Sequence, residues 1–106
     1  MLEILLPKVR PIRDTLDVLA TEFRDRRSVY RIFRQLASAE SGRPSEGKWK
    51  TVANLHGDWI ESHVANGNDD SGRLYARLDP SERSWAVLLS HKGQQTRDLA
   101  WLRKQG

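Results

Sequence analysis

The chain has 106 residues, 18 Lys and Arg against 14 Asp and Glu, a formal net charge of +4, and no cysteine. That length is expected to form a single domain with one modest core, and the missing thiols exclude disulfides, thiolate metal sites and a cysteine nucleophile. A positive balance suits a polyanionic partner without requiring one, and His56, His63 and His91 lack the spacing of zinc ligands.

The opening Met1-Leu2-Glu3-Ile4-Leu5-Leu6-Pro7 is apolar over too few residues for a signal peptide, and Glu3 stands where a basic region belongs. No apolar run approaches the roughly 20 residues needed to span a bilayer. A soluble, cytoplasmic chain is the expectation. Leu2 to Leu6 reads as a first strand, ended by Pro7 and again by Pro11.

Asp14 or Thr15 can cap the helix that follows. Leu16, Leu19, Phe23, Tyr30, Phe33 and Ala37 recur at helical spacing, with Arg26 the one break in the stripe. One long helix or an antiparallel pair bent between Phe23 and Arg27 would satisfy this pattern. The charge interrupting the stripe favours the pair. Arg24, Arg26, Arg27, Arg31 and Arg34 crowd around a single acid, Asp25, as a solvated outer face or a partner surface.

Ser41 to Gly47 is a loop, with glycine and proline close together. Lys48-Trp49-Lys50 sets an aromatic between two cations. That is either a stacking platform with phosphate contacts or a packed tryptophan with exposed lysines. Beyond Gly57 the chain alternates, with Ile60, Ser62 and Val64 on one face and Trp59, Glu61 and His63 on the other. Asn66 to Gly72 is a hairpin loop rich in turn-forming residues.

The next strand, Arg73 to Leu78, turns Leu74, Ala76 and Leu78 to one side and Arg73, Tyr75 and Arg77 to the other. Asp79-Pro80 starts a turn. Trp85-Ala86-Val87-Leu88-Leu89 is a short apolar run that suits a buried central strand, and it empties into His91, Lys92 and Arg97. A short amphipathic helix from Arg97 to Lys104 closes the chain through Leu99, Ala100 and Leu102. Trp49, Trp59, Trp85 and Trp101 all fit a core.

These elements predict an α+β fold: a small antiparallel sheet of about four strands, mixed at one edge. Two N-terminal helices pack on it and a short C-terminal helix follows. The helices cover one face, and the other, partly open, carries Glu61, His63, Arg73, Tyr75 and Arg77.

Three stretches carry a family resemblance. Leu55-His56-Gly57-Asp58-Trp59-Ile60-Glu61-Ser62-His63-Val64 resembles the L-x-G-x-W-E-x-R-V strand of the RelE/ParE/HigB superfamily of bacterial type II toxins. Gly72-Arg73-Leu74-Tyr75-Ala76-Arg77-Leu78-Asp79 is similar to its x-R-x-x-Y-x-x-D strand. Val87 to Thr96 is similar to its last strand and basic exit. About half of the chain takes part, and the helical half agrees only in the order of elements.

The resemblance implies a RelE-like fold and a toxin that cleaves mRNA, often on the ribosome, without a metal or other cofactor. It also implies a cognate antitoxin, acidic and partly disordered, and no membrane partner. The chemistry is attack by a ribose 2′-hydroxyl on the adjacent phosphate, which needs a base, cations for the phosphorane and an acid for the leaving oxygen. His91 and Lys92 are the expected catalytic pair, for proton transfer and charge stabilisation. His63 stands where the family strand often has a catalytic arginine; it can act as a base near neutral pH but lacks arginine's bidentate grip. Arg73, Arg77, Arg97, Lys48 and Lys50 are the expected nucleic-acid contacts. The chain lacks the tyrosine that several ribonuclease members carry near the carboxyl terminus. Gyrase inhibition by binding, as in the ParE branch, and a non-catalytic binding module of the same fold remain open alternatives.

Overall fold

The computed structural model describes residues 9–23, 26–38, 49–52, 55, 58–66, 69–79, 81, 84–91 and 93–104. Their elements run β1 (Val9–Pro11), α1 (Thr15–Glu22), α2 (Arg26–Ser38), β2 (Lys50–Thr51), β3 (Ile60–Asn66), β4 (Asp69–Asp79), β5 (Ser84–Ser90) and α3 (Gln95–Arg103). The strands form one five-stranded sheet in the order β1-β5-β4-β3-β2. β1 is parallel to β5 and the other neighbours are antiparallel.

The α+β class and the mixed edge agree with expectation, but the strand count does not. The additional strand, β2, is only two residues long, too short to show any period in sequence. The proposed strand at Leu2 to Leu6 and the loop Ser41 to Gly47 lie outside the described residues. Among the described residues the first strand is β1. Pro11 is its last residue, at the sheet's edge, where a missing N–H does no harm.

β5 is buried along all seven residues because both of its faces are covered. Toward α1 and α2 it sends Trp85, Val87 and Leu89, which pack with Val18, Leu19, Phe23, Val29, Phe33 and Leu36 from the helices. Ile60, Val64, Leu74 and Ala76 complete that layer from β3 and β4. A second apolar cluster forms on the opposite face, where Tyr75, Ala86 and Leu88 meet Leu102 and Trp59. α3 therefore crosses the face that was expected to stay partly open.

The helical stripe resolves into two short ones. Phe23 is extended (φ −108°, ψ 127°) and ends α1, while the Arg26 guanidinium reaches back to donate to the Ala20 carbonyl at 2.9 Å. Arg26 thus closes the end of the preceding helix from the surface. Arg27, Arg31 and Arg34 are exposed, as a solvated face requires.

Leu16 corrects the expected stripe: it is 42% exposed. Thr15 takes the inward position instead. β1 stops opposite Val87, so among the described residues no strand lies beside the next stretch of the β5 edge. There Thr15 Oγ1 accepts the Leu89 N–H at 3.1 Å and donates to the Val87 carbonyl at 3.4 Å. A hydroxyl replaces the missing strand, and that bond sets α1's rotation with Leu16 outward. Asp14 precedes α1 without any side-chain capping bond.

The β3–β4 hairpin is tighter than expected. Asn66 pairs with Asp69, with a register shift between Val64 and Asn66, so only residues 67–68 separate the strands rather than a loop from Asn66 to Gly72. Gly72 lies opposite Val64; a β-carbon there would stand 2.7 Å from the Val64 carbonyl oxygen and 2.8 Å from the Phe23 ring. Glycine is what lets Phe23 lie on the strand. At the other end, Asp79 Oδ1 accepts the N–H and hydroxyl of Ser81 at 3.1 and 2.8 Å, the turn expected there. No helix among the described residues is long and apolar enough to cross a membrane.

Candidate nucleic-acid interface

Cross-strand partners share a face, so the register fixes which polar side chains are neighbours. On the α3 side of the sheet one row is Lys50, Glu61, Tyr75 and Leu88. The next is His63, Arg73 and Ser90. Lys50 and His63 are exposed, and Glu61 and Arg73 half-buried. The Arg73 guanidinium donates to the Gly72 carbonyl at 2.9 Å, which steadies its stem along the strand. An imidazole, a guanidinium, an ammonium and a carboxylate are thus gathered within two adjacent rows.

His91 follows Ser90, the register partner of Arg73, and is half-buried. Its carbonyl accepts the Gln94 N–H at 2.8 Å in the turn that leads to α3. It therefore sits where the His63–Arg73–Ser90 row meets the sheet's end. Lys92 and Lys48 lie outside the described residues. Trp49 is buried in the helix-side core, so it is a packed tryptophan and not a stacking platform.

Two of the expected contacts are not in this cluster. Arg77 shares the face but lies four residues from Arg73 along β4, roughly 13 Å away, with Tyr75 between them. Arg97 is committed elsewhere: its guanidinium donates to Asp14 at 3.2 Å and to Asp98 at 3.1 Å. Those pairs tie α3 to the turn before α1, while the Arg97 side chain stays 46% exposed.

Asp98 itself was missed, because an acid within an amphipathic helix reads as solvated. The signal available was its position one turn before Leu102, on the inward stripe. Ala100, expected inside, is exposed. Asp98 is 1% exposed and accepts hydrogen bonds from Ser90 Oγ at 2.5 Å, Arg13 at 3.1 Å and Arg97. Arg13 adopts a left-handed conformation (φ 55°) in the turn before α1, uncommon for a residue with a side chain. Its guanidinium also lies 5.1 Å from the centre of the Trp101 ring. These contacts fasten α3 to the end of β5.

Docking α3 has a consequence for Tyr75. Its ring is fully buried, and Gln95 of α3 donates to its hydroxyl at 3.3 Å. Burial pushes the phenol up to about 12, and the Glu61 carboxylate adds to the effect; the Gln95 hydrogen bond and the Arg73 charge act in the opposite direction. Tyr75 is a neutral hydrogen-bonding group at the floor of the cluster, linking α3 to Glu61.

Among the described residues no group of three or more His, Cys, Asp or Glu is arranged to hold a metal ion. No protein-family model, curated protein or solved structure matches this chain.

Proposed function

We propose that the chain is the toxin of a type II toxin-antitoxin pair and acts as an mRNA endoribonuclease. The reading is carried by one observation: His63 and Arg73 face each other across β3 and β4 on the same side of the sheet. It is supported by the two helices on the opposite face and by the parallel pairing of the first described strand with the last.

In this reading His63 takes the proton of a ribose 2′-hydroxyl as the 2′-oxygen attacks the neighbouring phosphorus. Arg73 and Lys50 stabilise the charge on the phosphorane. The bond to the 5′-oxygen then breaks, and His91 delivers the proton that the leaving oxygen needs. The products are a 2′,3′-cyclic phosphate and a free 5′-hydroxyl. Lys92 would add positive charge beside His91. An acidic, partly disordered antitoxin would mask the cationic face until it is released, and the mRNA would be taken free or on the ribosome.

Inducible expression in bacteria, with translation rates and mRNA 5′-end mapping, tests this. Wild-type chain is expected to arrest growth and create new 5′-hydroxyl ends. His63→Gln should lower the cleavage rate by about 10²–10⁴-fold, and Arg73→Gln by about 10²–10³-fold. Intact transcripts together with inhibited DNA supercoiling would replace the nuclease reading with inhibition of gyrase by binding.

A further inference from the structure

Beyond the row that holds Tyr75, the same face carries a groove of about 360 Å³, walled by Arg10, Arg77, Trp59, Trp101, Ala86 and Asp79 among others. We propose that this groove is a separate binding site for a nucleoside monophosphate. It does not rest on the nuclease reading, since the His63 row and the Arg77 row are separated along β4 by the row of Tyr75.

The phosphate end follows from the register. Arg10 and Arg77 are both Cα partners of Ala86, on opposite sides of it. With neighbouring strands roughly 4.8 Å apart, the two arginines stand about 10 Å from each other across β5. A methyl group floors the space between them. Neither guanidinium has an ion-pair or hydrogen-bond partner among the described residues. Two free planar forks over a small residue match the geometry of a phosphate held from both sides.

The base end follows from the aromatic walls. Trp59 and Trp101 both line the groove. The Arg13 guanidinium lies over the Trp101 ring and steadies it. Trp59 is 3% exposed, and its buried indole N–H has no hydrogen-bond partner among the described residues. Tryptophans stack on nucleobases irrespective of sequence, and the half-buried Trp101 is the ring accessible to a base, with Trp59 packed behind it in the wall. The volume is at the small end of the range for ligand pockets, about 300–1,000 Å³. Asp79, tied to Ser81 in the turn, puts a negative charge in the wall and disfavours a polyphosphate.

The test is calorimetric titration of the full chain with AMP, UMP, ATP, adenosine, inorganic phosphate and a 5′-phosphorylated RNA trinucleotide. AMP or UMP should bind at least tenfold tighter than adenosine, phosphate or ATP. Arg10→Gln and Arg77→Gln should each weaken that binding at least tenfold with unchanged thermal unfolding, and Trp59→Phe should weaken it less. A trinucleotide that binds tighter than AMP assigns the ligand to the end of an RNA strand; weaker binding assigns it to the free nucleotide. Phosphate binding as tightly as AMP, or wild-type affinity in both arginine variants, overturns the proposal. So does loss of AMP binding in His63→Gln alone, which would move the ligand to the other cluster.

Discussion

Replacing Asp98 by alanine removes the acceptor on which three donors converge, from Ser90, Arg13 and Arg97. The three are not equally stranded. The side chains of Arg13 and Arg97 are 23% and 46% exposed, so both guanidiniums can turn to water. The Ser90 hydroxyl is fully buried and cannot. Breaking a fully buried pair costs about 3–5 kcal/mol, while one stranded buried hydroxyl costs about 1–3 kcal/mol. With the arginines rescued by solvent, the loss of their charge-assisted bonds adds to the serine term, and about 3 kcal/mol is expected in total. At roughly 4 °C per kcal/mol for a domain of this size, the melting temperature should fall by about 12 °C. Asp98→Asn keeps an acceptor for Ser90 and should lose about half as much. Urea unfolding followed by tryptophan fluorescence measures both. A loss under about 1 kcal/mol for Asp98→Ala would show that α3 is held by Leu102 and its apolar neighbours alone, and that the polar hub is incidental.

Gly72→Ala should destabilise the chain by about 1–3 kcal/mol, because the new methyl meets a backbone oxygen that cannot move aside; an unchanged urea midpoint would contradict that contact. The Tyr75 phenol, held at about 12 in the fold against 10.0 ordinarily, binds its proton more tightly folded than unfolded. Its contribution to stability is therefore complete below pH 10 and is lost as pH rises toward 12. The stability difference between wild type and Tyr75→Phe should shrink across that interval, and a constant difference from pH 9 to 12 would refute the burial argument.

Alternation in Arg73 to Leu78 was enough to put Leu74 and Ala76 on one face and Arg73, Tyr75 and Arg77 on the other, since a strand's side-chain period is fixed by its backbone. The apolar run Trp85 to Leu89 similarly announced a central strand, and the charge between Phe23 and Arg27 announced the break between α1 and α2. Local chemistry reaches that far. It does not reach the rotation of α1, which depends on Thr15 meeting an edge of β5 left bare by the short β1. Nor does it reach the inward turn of Asp98, because a buried carboxylate is tolerable only when distant donors converge on it.

The candidate site divides in the same way. That cations and imidazoles share one face was legible in the order of residues along each strand. Which of them are neighbours was not: pairing His63 with Arg73, and both Arg10 and Arg77 with Ala86, is a matter of register between strands remote in sequence. The sequence alone determined which side chains turn toward the same face of the sheet. Only the tertiary structure decided that α3 packs on that face, through Leu102, Asp98 and Gln95, because a helix docks where partners remote in sequence can bury and bond its side chains.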